Sequence, residues 1–115
     1  MSADRRWQLR IEHMLDAIEK IQRYASGTTE DQFVAGSMVV DAVIRNFQVL
    51  GEAVRHVPSD IQSKYTDVPW RLIEGMRHIL VHDYFAVKTD VVWRTIQQSL
   101  PPIVEPLRRI LQDNP

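Results

Sequence analysis

Residues 29–57 read TEDQFVAGSMVVDAVIRNFQVLGEAVRHV, and two interleaved series of apolar residues run through them. Phe33, Gly36, Val40, Val43, Phe47, Leu50, Val54 and Val57 recur every three or four residues, the spacing that lines side chains along one face of an α-helix. Val39, Ala42, Asn46, Val49 and Ala53 form a second line beside the first. Two adjacent lines make a wide apolar face, so a helix over about 29–56 is expected to lie centrally, against several helices or a second subunit. Asn46 interrupts the second line with an amide whose unpaired burial would cost about 1–3 kcal/mol. It is expected to find a partner and to help set helix register.

Working outward, Trp7, Ile11, Met14, Ile18, Ile21 and Ala25 keep the same spacing and predict a helix over about 4–25. Gly27 suits its C-terminal cap, and Thr28 or Thr29 suits the next N-cap. Glu30 and Asp31 then meet the positive end of the helix dipole. Downstream, Pro58-Ser59-Asp60 breaks the central helix, and residues 61–65 form a short helical turn. Pro69 fits the first position of a third main helix over about 69–82, with Leu72, Ile73, Met76, Ile79 and Leu80 facing inward. Thr89 is a good N-cap for a fourth segment carrying Trp93, Ile96, Leu100, Ile103, Leu107 and Ile110. Pro101, Pro102 and Pro106 interrupt that segment, with a break expected near Leu100 and a new start at Pro101 or Pro102. No strand pattern, repeat or linker is present. The expected architecture is all-α, an antiparallel bundle of four to five helices forming a single domain over 1–115.

The bulk composition narrows the chemistry. The 115 residues contain no cysteine, which removes disulfides, thiolate nucleophiles and cysteine-bound zinc and fits a reducing cytosol. The formal net charge of −1 gives no global attraction to nucleic acid, so any RNA contact requires a local basic patch. The first residues lack the apolar core of a signal peptide, and no apolar run reaches the roughly 20 residues of a membrane span. A cytoplasmic protein with no membrane association is expected.

The chemistry concentrates in residues 75–85, GMRHILVHDYF. Arg77 and Tyr84 are seven apart and nearly eclipsed on a helix, and His78 and His82 are four apart on one face. Arg77 and His82, five apart, diverge by about 140°. They converge only if the helix tightens, if it ends near His82, or if a second copy of the chain supplies one of them. An arginine fork can hold a phosphate, a histidine can move a proton near neutral pH, and a tyrosine can bond a phosphate or stack on a base. Together they could cleave RNA without a metal. Plainer readings stand beside this one. His78 and His82 also suit the negative end of a helix dipole, and with Asp83 they could bind a metal, although the zinc-protease pattern fails because Ile79 follows His78. Tyr84-Phe85 could serve only to pack a loop. Glu52 could pair with Arg77 across a helix interface or remain a solvated carboxylate, and Arg45 could add to a basic surface or be an exposed helix residue.

Residues 77–82 resemble the Arg-polar-x3-His motif of HEPN domains (higher eukaryote and prokaryote nucleotide-binding). Extended to Tyr84, they resemble the Arg-x4-His-x-Tyr motif of HepT-like toxins. Ile44-Arg45-Asn46-Phe47 with Gly51-Glu52-Ala53, Val68-Pro69-Trp70, Gly75-Met76-Arg77, Val91-Val92-Trp93 and Leu100-Pro101 also resemble that pattern, which spans about residues 5–111. The resemblance implies a helical bundle that forms a homodimer, with motifs of both subunits meeting in one cleft. It implies a metal-independent endoribonuclease with catalytic Arg77 and His82 and no cofactor. It also implies a nucleotidyltransferase antitoxin of the MntA type, which transfers AMP from ATP to the residue matching Tyr84 and so blocks RNA by charge and bulk. His78, Asn46 and Glu52 are candidate substrate-binding or orienting residues. His78 stands where HepT-like sequences commonly have Asn, so it either joins the chemistry or orients a neighbour. The alternative function is a non-catalytic helical subunit that binds nucleotide or docks a nucleotidyltransferase, to which the near-neutral charge is better suited.

Overall fold

A computed structural model of the chain describes residues 6–35, 37–82 and 89–115, with side chains for all of these except residues 37 and 78–82. Every regular element among the described residues is helical. In order they are α1 (Arg6–Ser26), α2 (Glu30–Ala35), α3 (Ser37–Val54), α4 (Ser59–Lys64), α5 (Trp70–His82), α6 (Thr89–Arg94), a π-helical turn (Thr95–Ser99) and α7 (Pro101–Asp113). The chain is all-α as expected, and the helix read over 29–56 corresponds to α2 and α3 on either side of residue 36.

α3 packs chiefly against α1 and α5, while α7 packs on α1 and α2 on α6. Contact register gives the directions. Glu52 of α3 meets Arg77 of α5, and Arg55 meets Glu74, so numbers rise along one helix as they fall along the other and the pair is antiparallel. Phe33, Val40, Val43, Phe47, Leu50, Val54 and Val57 of the first apolar line are all buried. They join Ile11, Met14, Ile18 and Ile21 of α1, Ile73 of α5, and Ile103, Leu107 and Ile110 of α7 in one core. Each such side chain is worth about 1.5–3 kcal/mol relative to exposure, so this cluster dominates the stabilising side of folding. Phe33 and Trp93 add a tilted ring contact with centroids 5.2 Å apart.

Three expectations are corrected. The second apolar line is only partly covered: Ala53 is buried, Ala42 and Asn46 are half-buried, and Val49 is exposed. Leu72 is 55% exposed, because the buried face of α5 centres on Ile73, and Leu72 lies about 100° around the helix from it. Pro106 does not interrupt α7. It removes one helical hydrogen bond, but Ile103, Leu107 and Ile110 are all buried and hold the segment in place. The break expected near Leu100 takes the form of the π-helical turn, in which the Leu100 N–H donates to the Thr95 carbonyl at 3.2 Å before α7 starts at Pro101.

Two polar arrangements fix element ends. Thr29, rather than Thr28, caps α2. Its hydroxyl accepts from the Gln32 N–H at 3.2 Å, and the Gln32 side-chain oxygen accepts from the Thr29 N–H at 3.0 Å, a reciprocal capping box. Thr29→Ala is expected to cost about 1 kcal/mol, seen as a lower urea midpoint at unchanged slope; an unmoved midpoint would remove the cap from the account. At the start of α5, Trp70 Nε1 donates to the Tyr65 carbonyl at 3.0 Å and to the Gln62 carbonyl at 3.2 Å. The Tyr65 hydroxyl donates to Asp113 Oδ2 at 2.9 Å and accepts from Asn114 Nδ2 at 3.1 Å. These ties set where α5 begins and therefore the height of Arg77 against α3. No helix among the described residues is long and apolar enough to cross a membrane.

Candidate active site

Arg77 stands where α5 comes close to α3, and Gly51 makes that approach possible. A Cβ built at Gly51 would overlap the Arg77 Cβ and crowd the Arg77 nitrogen and the Ile73 carbonyl. The next residue on α3, Glu52, receives the Arg77 guanidinium: Arg77 Nη1 donates to Glu52 Oε1 at 3.1 Å. The pairing allowed by the sequence is therefore present, and the reading of Glu52 as a merely solvated carboxylate falls. Glu52 also lies 3.7 Å from Arg55 Nη1 and 3.5 Å from His56 Nε2. The Arg77 and Glu52 side chains are 29% and 45% exposed, so water screens the pair and its stabilisation is small. Its larger consequence is orientation, since the planar fork is held from one side. Arg77 Nε is buried without a hydrogen-bond partner among the described residues.

Arg77 and Glu52 line an open groove of about 480 Å³ with Arg10 and His13 of α1 and Arg45 and Val49 of α3. The groove adjoins a second hollow between the same helices, which shares His13, Arg45 and Val49 and adds Asn46. Arg77 and Glu52 are thus brought together, and Asn46 stands further along. Asn46 Nδ2 donates to the Ala42 carbonyl at 2.9 Å. The expected partner exists, but the bond stays within α3 and sets no register between helices. Arg45 is exposed and lines both hollows, so it joins a basic surface.

The side chains of His78 and His82, and all of Asp83 and Tyr84, lie outside the described residues. α5 is regular helix from Arg77 through His82. Positions 77 and 82 are therefore about 140° apart around it, so a tightened helix is not what unites them, and of the three routes a helix end near His82 and a second copy of the chain remain. No cluster of three or more potential metal ligands occurs among the described residues, which leave out the side chains of His78, His82 and Asp83. Sequence reasoning missed Arg10 and His13, because α1 was read only for its apolar stripe. The same three-and-four spacing through Arg10, His13, Ala17, Lys20 and Tyr24 was the signal available.

An all-α bundle that carries the motif arginine on a groove wall is what the resemblance to HEPN domains implies. Residues 14–110 match the family model described as "Ribonuclease HepT-like". The chain belongs to the HepT-like ribonuclease family. It is 33% identical over 102 residues to a protein of Caldanaerobacter subterraneus subsp. tengcongensis provisionally named an RNase, covering 89% of this chain and 91% of the relative. It is 31% identical over 93 residues to "Probable ribonuclease HepT" of Thermococcus cleftensis, covering 81% and 84%. A Methanocaldococcus jannaschii relative, named a gamma-glutamylcyclotransferase and provisionally an RNase, is 33% identical over 103 residues; the match covers 90% of this chain but only 46% of that longer protein. No solved structure gives a significant match.

Proposed function

We propose that the protein is the toxin of a toxin–antitoxin pair, a metal-independent endoribonuclease whose composite site lies in the cleft of a homodimer. The observation that carries this reading is the Arg77 guanidinium, held by Glu52 on a groove wall in a chain of the HepT-like ribonuclease family. The regular helix between positions 77 and 82 removes the tightened-helix route, and the resemblance to HepT-like toxins puts a second copy ahead of a helix end as the means of joining Arg77 to His82.

In the proposed reaction His82 takes the proton of the ribose 2′-hydroxyl. The 2′-oxygen forms a bond to phosphorus, the bond to the 5′-oxygen breaks, and that oxygen takes a proton from water, which recovers it from His82. The products are a cyclic phosphate and a free 5′-hydroxyl. Arg77 stabilises charge on the non-bridging oxygens, Glu52 holds the Arg77 fork in place, and His78 and Asn46 orient the strand or a neighbouring side chain. An MntA-type nucleotidyltransferase silences the site by joining the Tyr84 oxygen to the α-phosphorus of ATP, releasing pyrophosphate. Intact mass after co-expression with that partner reads the modification.

The test is cleavage of RNA in excess EDTA. Activity is expected to survive chelation and to fall by about 10²–10⁴-fold in His82→Ala, with the helical circular dichroism unchanged. Cleavage that requires an added divalent cation, or a His82→Ala variant as fast as wild type, would overturn the assignment.

A further inference from the structure

We infer that the groove between α1 and α3 is a track for single-stranded RNA leading away from Arg77, with Arg45 and Arg10 taking backbone phosphates and Tyr24 presenting its ring to a base. This rests on the ribonuclease reading above and extends it to residues outside the motif.

Arg10, His13, Lys20 and Tyr24 repeat along α1 with the three-and-four spacing of one helix face. Arg45, Val49 and Glu52 do the same on α3. The groove lining places Arg10 with Glu52 and Ala53 at one end and Tyr24 with Ala42 and Asn46 at the other. The two faces therefore run antiparallel along four turns of α1, about 21 Å, room for several nucleotides. Among the described residues, the two carboxylates on the groove are already engaged: Asp16 with Lys20 at 3.1 Å and Glu52 with Arg77. The side chains of Arg10, His13 and Arg45 make no ion pair or hydrogen bond among the described residues. Among the described residues the groove lining thus sets Arg10, Lys20, Arg45 and Arg77 against Asp16 and Glu52, a basic excess in a chain whose net charge is −1 and the local patch that a phosphate backbone requires.

The far end supplies the other component of single-strand binding. Tyr24 is half-buried, with the Arg23 guanidinium 5.8 Å from its ring centre. A cationic groove with an aromatic platform is the general solution for an unpaired strand. The basic side chains spaced along its whole length match a phosphate backbone, and this charge complementarity sets a nucleic-acid strand ahead of a protein partner.

The test measures binding of a labelled single-stranded RNA to full-length protein carrying His82→Ala, so that the strand is not cut. Arg10→Gln and Arg45→Gln are each expected to weaken binding several-fold and to reduce the slope of log affinity against log salt by about 0.7. Tyr24→Ala is expected to weaken it about tenfold, with Tyr24→Phe close to the parent. Arg108→Gln, the same charge change on α7, is expected to leave binding unaltered. Groove variants that bind like the parent would overturn the inference while the ribonuclease reading stands. A groove variant with a changed molecular mass in sedimentation would mark the face as a contact between copies and also overturn it. If the parent neither binds RNA nor, with His82 restored, cleaves it, the ribonuclease reading fails and takes the track with it.

Discussion

Arg77→Ala is expected to lower RNA cleavage at least about a hundredfold and to leave the helical fold intact. Removing one donor aimed at a developing oxyanion costs about 10²–10³ in rate, and the proposed role of Arg77 is of that kind. The fold survives for local reasons. Alanine retains the Cβ that packs on Gly51, and the half-exposed Glu52 keeps Arg55 and His56 beside it, so no buried charge is left unpaired. Arg77→Lys restores charge but not the planar fork and is expected to recover little of the rate. Glu52→Gln separates positioning from chemistry, since it keeps Arg77 and loosens its clamp. Its expected loss is intermediate, because a displacement of about 1 Å can itself cost up to 10²-fold. Rates measured beside thermal melts decide the matter. An Arg77→Ala variant that cleaves as fast as wild type removes Arg77 from the mechanism; one that fails to fold makes it a structural residue.

The second large effect is expected at Gly51. Helix propensity alone predicts that Gly51→Ala stabilises by about 1 kcal/mol. Packing predicts the opposite, because the added methyl overlaps the Arg77 Cβ, and overfilling a packed contact costs about 1–3 kcal/mol. Packing wins here, since the obstacles are the first side-chain carbon and backbone of α5 rather than the end of a flexible chain. Gly51→Ala is therefore expected to melt earlier and to cleave more slowly as α5 is pushed away from α3. A double-mutant cycle tests the cause. In an Arg77→Gly background the overlapping carbon is gone, and Gly51→Ala is expected to cost less than it does in wild type. Equal costs in both backgrounds would assign the strain to the Ile73 carbonyl instead.

Periodicity was sufficient for most of the fold. The described members of the first apolar line, the α1 stripe from Ile11 to Ala25 and Ile103, Leu107 and Ile110 of α7 are buried where spacing put them, with Trp7 partly covered, because a 3.6-residue repeat has one geometrical meaning. Thr29, Pro69 and Pro101 marked helix starts for equally local reasons. The partial exposure of Val49 was hidden, since an apolar residue reads the same whether it faces a core or a groove. Leu72 was misread because α5 buries a narrower face than α3, where Val43 and Ile44 are both covered, and only the packing of neighbouring helices sets how wide a face is covered. Of the site, the Glu52–Arg77 pair was foreseen as one of two options. The role of Gly51 needed the distance between α3 and α5, which no one-dimensional pattern contains. The basic side of α1 was visible in the sequence but was passed over, because its spacing is also that of an ordinary solvated face.

The shared carboxylate at Glu52 also has a consequence for inheritance. With Arg77 lost, Glu52 keeps Arg55 and His56 beside it, so the altered chain is expected to stay folded and to escape the proteases that clear unstable proteins. A gene inactivated at this codon would go on producing protein at full dosage. On the proposed toxin and homodimer reading, a cell carrying a working copy as well would pair the silent product with the active one, and the first surviving alleles would be dominant rather than null.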